Sequence, residues 1–307
     1  MKILITGAAG FLGSHIAKKF LEENHEVIGV DNFFRGKKEN LPNHQNFSFF
    51  DHDLINEEGT IELFKKINPT YVINYAAING TRYFYDIPFK VCDDNIKITQ
   101  NVLKASKIDC VTKIVFASSS EVYGPEPAIP TKETHDIILK SCSNRDSYAS
   151  SKAIGEFLTF LWANENNKNF LIIRPFNTYG NNMINTKYGQ VIPEFIKRAK
   201  DDESFTIAGD GNQTRSFCHV FDHANILYRL VLEQQNEIFN IGFDEEITIL
   251  NLAKIIHKKL NKDFNPIHLP SWENDTKWRV PSLEKLKSVI GEYKFINLEE
   301  GLNSLIN

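Results

Sequence analysis

A chain of 307 residues, 42% hydrophobic and 24% charged, has the composition of an ordinary globular protein, long enough for one large α/β domain or a main domain with a smaller companion. Its formal net charge of -4 supplies no global positive field for a polyanionic backbone, so nucleic acid is not an expected partner. Cys92, Cys110, Cys142 and Cys218 are widely spaced and form no Cys-x-x-Cys pair, which argues against a zinc knuckle or a dense disulfide framework and leaves them reduced, with no metal site expected.

The opening "MKILITGAAGFLGSH" lacks the apolar core of a signal peptide, and no apolar run approaches the length of a membrane span, so a cytoplasmic location off the membrane is expected. Along the first half, "KILIT", "EVIGV", "FSFF", "YVIN", "KIVFA" and "FLIIR" read as strands. Amphipathic helical patterns separate them, which predicts a parallel sheet covered on both faces. Two helices, over 89–106 and 147–164, are long. After Arg174 the pattern changes to loops such as "YGNNMINTKYG" and "AGDGNQTR", with helical stretches over 188–200 and 248–260. "VFDHANILYRLVL" and "IFNIG" read as one more helix and strand returning to the sheet.

The first strand meets the first helix through Gly7, Gly10 and Gly13. The first glycine permits a tight turn, the second lets the backbone approach a pyrophosphate, and the third permits close helix–strand packing. The next strand ends at Asp31, near the offset at which a carboxylate bonds the ribose hydroxyls of a dinucleotide. This context outweighs the alternative of a glycine-rich turn that merely packs. The expected fold is therefore α/β: a Rossmann-type doubly wound parallel sheet over 1–175, rejoined by 217–243, with a smaller mixed C-terminal substrate-binding lobe from the remainder of 176–307. Phe11, Leu12 and Asn32 join these residues as expected cofactor contacts. Asp53, Leu54 and Ala76 follow the third and fourth strands, where they face adenine and pyrophosphate; Asp53 serves equally well as an N-cap. Asp31 would repel a 2′-phosphate, favouring NAD over NADP, and Arg35, Lys37 and Lys38 read as a solvated basic loop.

Tyr148 and Lys152 stand four residues apart and share a helix face. Bringing a phenol from a pKa of about 10 to about 7 takes roughly 4 kcal/mol of phenolate stabilisation. A cation at about 4 Å in an effective dielectric of about 20 supplies that much, and an oxidised nicotinamide ring adds to it. Of the ten tyrosines only Tyr148 is followed by Lys at the fourth position. The fifth strand ends in Ser118, Ser119, Ser120 and Glu121, placing hydroxyls and a carboxylate where a nicotinamide would lie.

With these motifs, together with "RPFNTYG", "QTRSF" and the final "EEGL", the chain resembles the extended short-chain dehydrogenase/reductase family, in its nucleotide-sugar epimerase, dehydratase and decarboxylase branch, over nearly its whole length. The resemblance implies that Tyr148, as phenolate, takes the proton of a sugar hydroxyl, usually at C4, while the carbon gives its hydride to NAD. It implies that Ser119 holds that hydroxyl beside Ser120, that Lys152 also binds the nicotinamide ribose, and that Asn177 and Arg215 contact the nucleotide diphosphate. It also implies a homodimer or homotetramer formed through the two long helices. Two departures stand out. Relatives often carry Arg-x-x-Asp where this chain reads Trp272-Glu-Asn-Asp275, so the second diphosphate arginine is absent or replaced by Lys277 or Arg279; Asn74 stands where many relatives have His.

Ser119-Ser120-Glu121 lacks the aspartate of the dehydratases' Thr-Asp-Glu and is closer to the decarboxylases' Thr-Ser-Glu, yet "YASSK" lacks the Tyr-Asp-Glu-Gly-Lys pattern of the latter. The expected activity is a C4 dehydrogenase or 4-epimerase acting on a nucleotide-activated hexose or heptose in surface or capsular polysaccharide precursor synthesis. The alternatives are a 4,6-dehydratase, in which Glu121 as a second base would remove a C5 proton, and a uronate decarboxylase; otherwise Glu121 orients the substrate or a water. From another class, a catalytically silent NAD-binding sensor stands against it.

Overall fold

The computed structural model describes residues 1–183, 190–201, 203, 205–271 and 276–306. The β-branched run at the start forms β1 (Lys2–Thr6), buried on both faces apart from its first residue, and the chain then turns into α1 (Phe11–Glu22). There follow β2 (Glu26–Asp31), β3 (Phe47–Asp51), α2 (Glu57–Ile67), β4 (Tyr71–Asn74), the four-residue α3 (Tyr83–Asp86) and α4 (Pro88–Ala105). Next come β5 (Lys113–Ala117), α5 (Ser147–Asn166) and β6 (Asn169–Pro175). The two long helices match their expected spans closely; α5 runs on to Asn166 because only at Asn167 does the backbone turn left-handed and end it.

The second half contributes β7 (Thr178–Tyr179), α6 (Val191–Lys200), β8 (Thr206–Ala208), β9 (Thr214–Ser216), β10 (Cys218–His219), α7 (Val220–Glu233) and β11 (Glu237–Ile241). It ends with β12 (Glu246–Thr248), α8 (Ile249–Lys259), β13 (Ile267–Leu269), α9 (Glu284–Ile290) and α10 (Leu298–Ile306). The helix expected over 188–200 begins at Val191, with Gln190 at its N-cap; positions 188 and 189 lie outside the described residues.

Seven parallel strands make one sheet in the order β11-β6-β5-β4-β1-β2-β3. The chain builds outward from β1 to β3, then restarts on the other side at β4, so a crevice opens above β1 and β4, where ligands of such sheets bind. Ile3 and Ile5 pack with Ile16, Phe20, Leu227 and Leu230 on one face, whereas Leu4 packs with Phe64, Val102 and Phe116 on the other. Alternate residues of each strand thus serve opposite helix layers, as a strand's two-residue period requires. A separate apolar cluster around Phe195, Phe205, Leu252, Ile256 and Leu302 unites α6, α8 and α10 beside the sheet.

Candidate active site

At the crevice, Thr6 donates to the Asn74 side-chain oxygen at 2.7 Å while its own oxygen accepts from the amides of Tyr75 and Ala76 at 3.1 and 3.0 Å. Asn74, the departure from many relatives, is therefore a brace between the ends of β1 and β4. Beside it a Cβ on Gly13 would stand 2.1 Å from the Gly7 carbonyl oxygen, so α1 sits too close to the turn for any side chain there. Gly10 is the N-cap of α1 and provides no side-chain cap, which leaves the amides that open the helix, from Phe11 and Leu12, to an anion. Asp31 accepts from the amides of Ala9 and Phe33 at 3.0 and 2.8 Å, and burial raises its carboxyl above the usual range against those bonds.

An uncapped helix start, a turn with no room for a Cβ and a buried carboxylate at the strand end together fit a dinucleotide. Ala76 stands against Gly7, where an added Cβ would lie 3.0 Å from the Ala76 amide nitrogen, Leu54 is buried in the apolar cluster on one face of the sheet, and Asn32 is exposed next to Asp31. Asp53 is exposed and accepts from the Ile55 amide at 3.0 Å; the cap of α2 is Asn56, not Asp53. The basic loop is more engaged than expected: Arg35 lies 5.6 Å from the Tyr83 ring centre and Lys37 pairs with Glu39 at 3.1 Å.

Across the crevice, α5 is pressed onto β5, where a Cβ on Gly155 would stand 2.2 Å from the Phe116 ring. This contact brings Tyr148 and Lys152, both buried, against the end of β5. Lys152 donates to the Ala117 carbonyl at 2.7 Å, and its ammonium lies 5.6 Å from the Tyr148 ring centre. Ser119 hydrogen-bonds the Tyr148 phenol and caps the 3-10 turn Ser120–Tyr123, accepting from the Glu121 amide at 3.2 Å. Below this turn Arg174 grips Glu156 with two bonds of 2.8 and 2.7 Å, and Glu156 accepts from Ser118. Arg174 also donates to the Tyr123 hydroxyl at 2.8 Å. The serine-bearing turn is thus anchored to α5 and β6 by a buried polar network.

In the protein without cofactor, burial and the surrounding side chains set the electrostatics of Tyr148 and Lys152. Burial pushes the Tyr148 phenol up, the Glu121 carboxylate adds to the rise, and the Ser119 bond and Arg35 oppose it without prevailing. Without cofactor the phenol therefore stays above its ordinary range, and burial presses the neighbouring Lys152 down, to about 7.

Glu121 bears on the alternative reading. Burial opposes its ionisation, but Arg145, Arg279 and Arg215 outweigh burial and hold the carboxyl at about 2. Arg145 pairs with it at 3.0 Å and Arg279 at 3.6 Å. A carboxylate so stabilised is a weak base, which counts against the alternative in which it removes a carbon-bound proton and favours a role in orienting the substrate or a water.

Arg279 is almost wholly buried and bonds the Ser120 hydroxyl at 3.4 Å, the Gly124 carbonyl at 3.1 Å and Thr276 at 2.8 Å. It braces the Ser120–Tyr123 turn instead of standing in for a diphosphate arginine. Lys277 points outward to Glu126 at 2.8 Å. The stretch Trp272–Asp275 lies outside the described residues. Arg215 bonds the carbonyls of Thr214 and Thr276, both at 2.7 Å. Asn177 has φ +20°, and its buried side-chain nitrogen has no protein partner, which leaves a donor for a ligand.

A model of the NAD dependent epimerase/dehydratase family matches residues 3–242. The chain belongs to that family, and its cofactor is NAD. UDP-glucuronic acid decarboxylase 1 of Danio rerio is 33% identical over 308 residues, covering 99% of this chain and 72% of the relative. UDP-glucose 4-epimerase from Thermotoga maritima, solved with UDP-glucose, superposes with a TM-score of 0.93 at 29% identity, over 100% of this chain and 97% of that one. UDP-glucuronic acid 4-epimerase from Bacillus cereus, solved with UDP-glucuronic acid and NAD, gives 0.88 at 28% identity, over 99% and 97%.

For a member of the NAD dependent epimerase/dehydratase family, two side chains at this site escaped sequence reasoning. Arg145 encloses Glu121 together with Arg279, which the sequence offered only as a possible diphosphate arginine, and Phe84 stacks on the Tyr148 ring with centres 5.1 Å apart and planes 12° from parallel. Arg145, three residues before Tyr148, was the legible one, since a short lead into a helix cannot carry it far. Among the described residues no three His, Cys, Asp or Glu side chains are grouped to hold a metal, and no helix is long and apolar enough to cross a membrane.

Proposed function

We propose that this chain is an NAD-dependent 4-epimerase of a UDP-hexose whose C5 carries an acidic group, that is, a UDP-hexuronate. Tyr148 takes the proton of the C4 hydroxyl, Ser119 holds that hydroxyl through the transfer, and Lys152 steadies the cofactor ribose beside them. When bound, NAD would supply the acceptor for the C4 hydride and, once reduced, the donor for its return to the opposite face of the sugar. Since protein groups alone hold the phenol above its ordinary range, the reaction leans on the positive charge of the oxidised cofactor to acidify it.

The observation that carries this reading is the enclosure of Glu121 by Arg145, Arg279 and Arg215. Three guanidinium charges against one carboxylate favour an anionic substrate. We assign Asn177 and Arg215 to the diphosphate, and Arg145, which already pairs with Glu121 at 3.0 Å, to an acid on the sugar, with its guanidinium shared between the two carboxylates. The same enclosure weighs against Glu121 as an acid or base at C5, which favours chemistry at C4 alone.

The decarboxylase relative favours a second reading, because a hexuronate oxidised at C4 is a β-keto acid that loses CO2 without a base. The carbanion left at C5 must then be protonated, and a carboxyl held at about 2 has no proton to give at neutral pH. Incubation with NAD and either UDP-glucuronic acid or UDP-glucose, read by mass and proton NMR, separates the two. Epimerisation leaves the mass unchanged and alters the H4 couplings of the uronate; loss of CO2 overturns it in favour of decarboxylation. Equal turnover of UDP-glucose removes the acidic-substrate assignment, and NAD binding without turnover of any sugar returns the chain to a sensor.

A further inference from the structure

We infer that Phe84 is a positioning residue for Tyr148: its ring, stacked on the phenol and flanked by Arg145, sets where the phenol lies and how far water reaches it. The inference rests on the reading of Tyr148 as the base at C4.

Phe84 belongs to α3, a single turn that no packing motif of a doubly wound sheet demands. The turn is held at both ends. Upstream, Asn95 of α4 clamps Ile78, accepting from its amide at 2.7 Å and donating to its carbonyl at 3.1 Å. Downstream, Pro88 opens α4 two residues after α3 ends. Ile78, Phe84, Val91 and Tyr148 form an apolar cluster of their own, apart from the two sheet cores. Tyr148 is therefore seated by this segment on one side and by its own helix on the other.

Near-parallel rings with centres 5.1 Å apart are offset-stacked, a geometry that aromatic pairs favour and an aliphatic side chain cannot reproduce. The Arg145 guanidinium lies 5.2 Å from the Phe84 ring centre and 3.0 Å from Glu121. The same small turn also presents Tyr83, 5.8 Å from the Phe34 ring and 5.6 Å from Arg35. One helical turn thus touches the loop after β2, where the adenosine ribose is expected, as well as the phenol and the arginine–glutamate pair.

Loss of the ring has two effects of opposite sign. The phenol faces Glu121 and Ser119 from the turn after β5, Arg35 from the loop after β2, Lys152 from its own helix, and Phe84 from α3, the last backed by Arg145 from the turn that leads into α5. Removing the aromatic cover admits water, which favours the phenolate and moves ionisation to lower pH. The same loss loosens the phenol's placement, so turnover falls although the base forms more readily. A purely space-filling residue would not produce this combination.

The test titrates the NAD complexes of the wild type, Phe84→Leu and Phe84→Tyr by ultraviolet absorption. Each is subtracted from the same protein carrying Tyr148→Phe, which isolates the phenolate at position 148. Phe84→Leu is expected to ionise at lower pH than the wild type, and Phe84→Tyr, which keeps the ring, to match it. With a sugar that turns over, Phe84→Leu should lose about tenfold in kcat with KM changed less than about threefold, and Phe84→Tyr should restore most of it. Phe84→Met gives the same comparison if the leucine variant fails to fold. Unchanged ionisation in Phe84→Leu overturns the inference, as does a loss of NAD affinity in step with thermal stability. Should no sugar turn over in the wild type, the reading of Tyr148 as a C4 base falls, while the titration still decides whether Phe84 governs the phenol.

Discussion

Lys152 donates to the Ala117 carbonyl at 2.7 Å while its ammonium lies 5.6 Å from the Tyr148 ring centre, so the lysine is tied to the end of β5 as well as to the helix it shares with the tyrosine. Burial lowers it from 10.5 to about 7. A lysine depressed in the folded state favours folding when neutral, so its contribution is full above its unfolded pKa and is lost as pH falls through about 7. Wild-type protein without cofactor should therefore gain stability between about pH 7 and pH 10 from this group. Lys152→Met should flatten that rise, read by urea denaturation at a series of pH values. Sugar oxidation by the same variant should fall by about 10²-fold or more.

Glu121→Gln separates two roles for the carboxylate. Its charge raises the Tyr148 phenol, so removing it lets phenolate form at lower pH, and the acid limb of the rate profile should move down. If Glu121 were itself an acid or base in the reaction, turnover would instead collapse at every pH. The substitution also leaves Arg145 and Arg279 with a poorer acceptor, at a cost of about 1–3 kcal/mol, visible as a lower melting temperature.

How much of this was legible depended on whether the relevant physics is local. Periodic apolar runs identify the strands because each must bury both faces, and the Gly7-Gly10-Gly13 spacing identifies the turn because the steric demand lies within one strand–turn–helix. Tyr148 and Lys152 were legible for the same reason, as neighbours on one helix. The acidity of that pair was not, since burial sets it and burial comes from β5, α3 and the turn after β5. The enclosure of Glu121 draws Arg145, Arg215 and Arg279 from three distant segments, a convergence that no local pattern announces. Asp53 was misjudged as a possible cap because Asn56, three residues on, accepts from the Gly59 amide in its place.

Cofactor choice turns on Asp31, which ends β2 and already holds two backbone amides at 3.0 and 2.8 Å. A second negative group against it is opposed at close range, so NAD should bind about tenfold or more tighter than NADP. Asp31→Ser should narrow that gap chiefly by admitting NADP, while weakening NAD through the lost ribose contact. Quenching of intrinsic tryptophan fluorescence by each dinucleotide measures both affinities.

The last prediction concerns the outer face of α5. Ile154, Phe157 and Leu161 recur at helical spacing on it and are exposed, Phe157 by 63%, and Phe89 on the neighbouring α4 is exposed by 80%. An apolar stripe of this kind on a helix pair marks a protein–protein contact more often than a free surface. We propose that a second copy of the chain covers it, α4 and α5 of each protomer forming a four-helix contact about a twofold axis. Each Phe side chain removed from water contributes about 1.5–3 kcal/mol, and the symmetry counts every such residue twice. Phe157→Glu places a charge in each half of the contact and should halve the mass seen by light scattering, with the circular dichroism spectrum retained. A wild type that is monomeric at micromolar concentration would rule this surface out as a dimer contact.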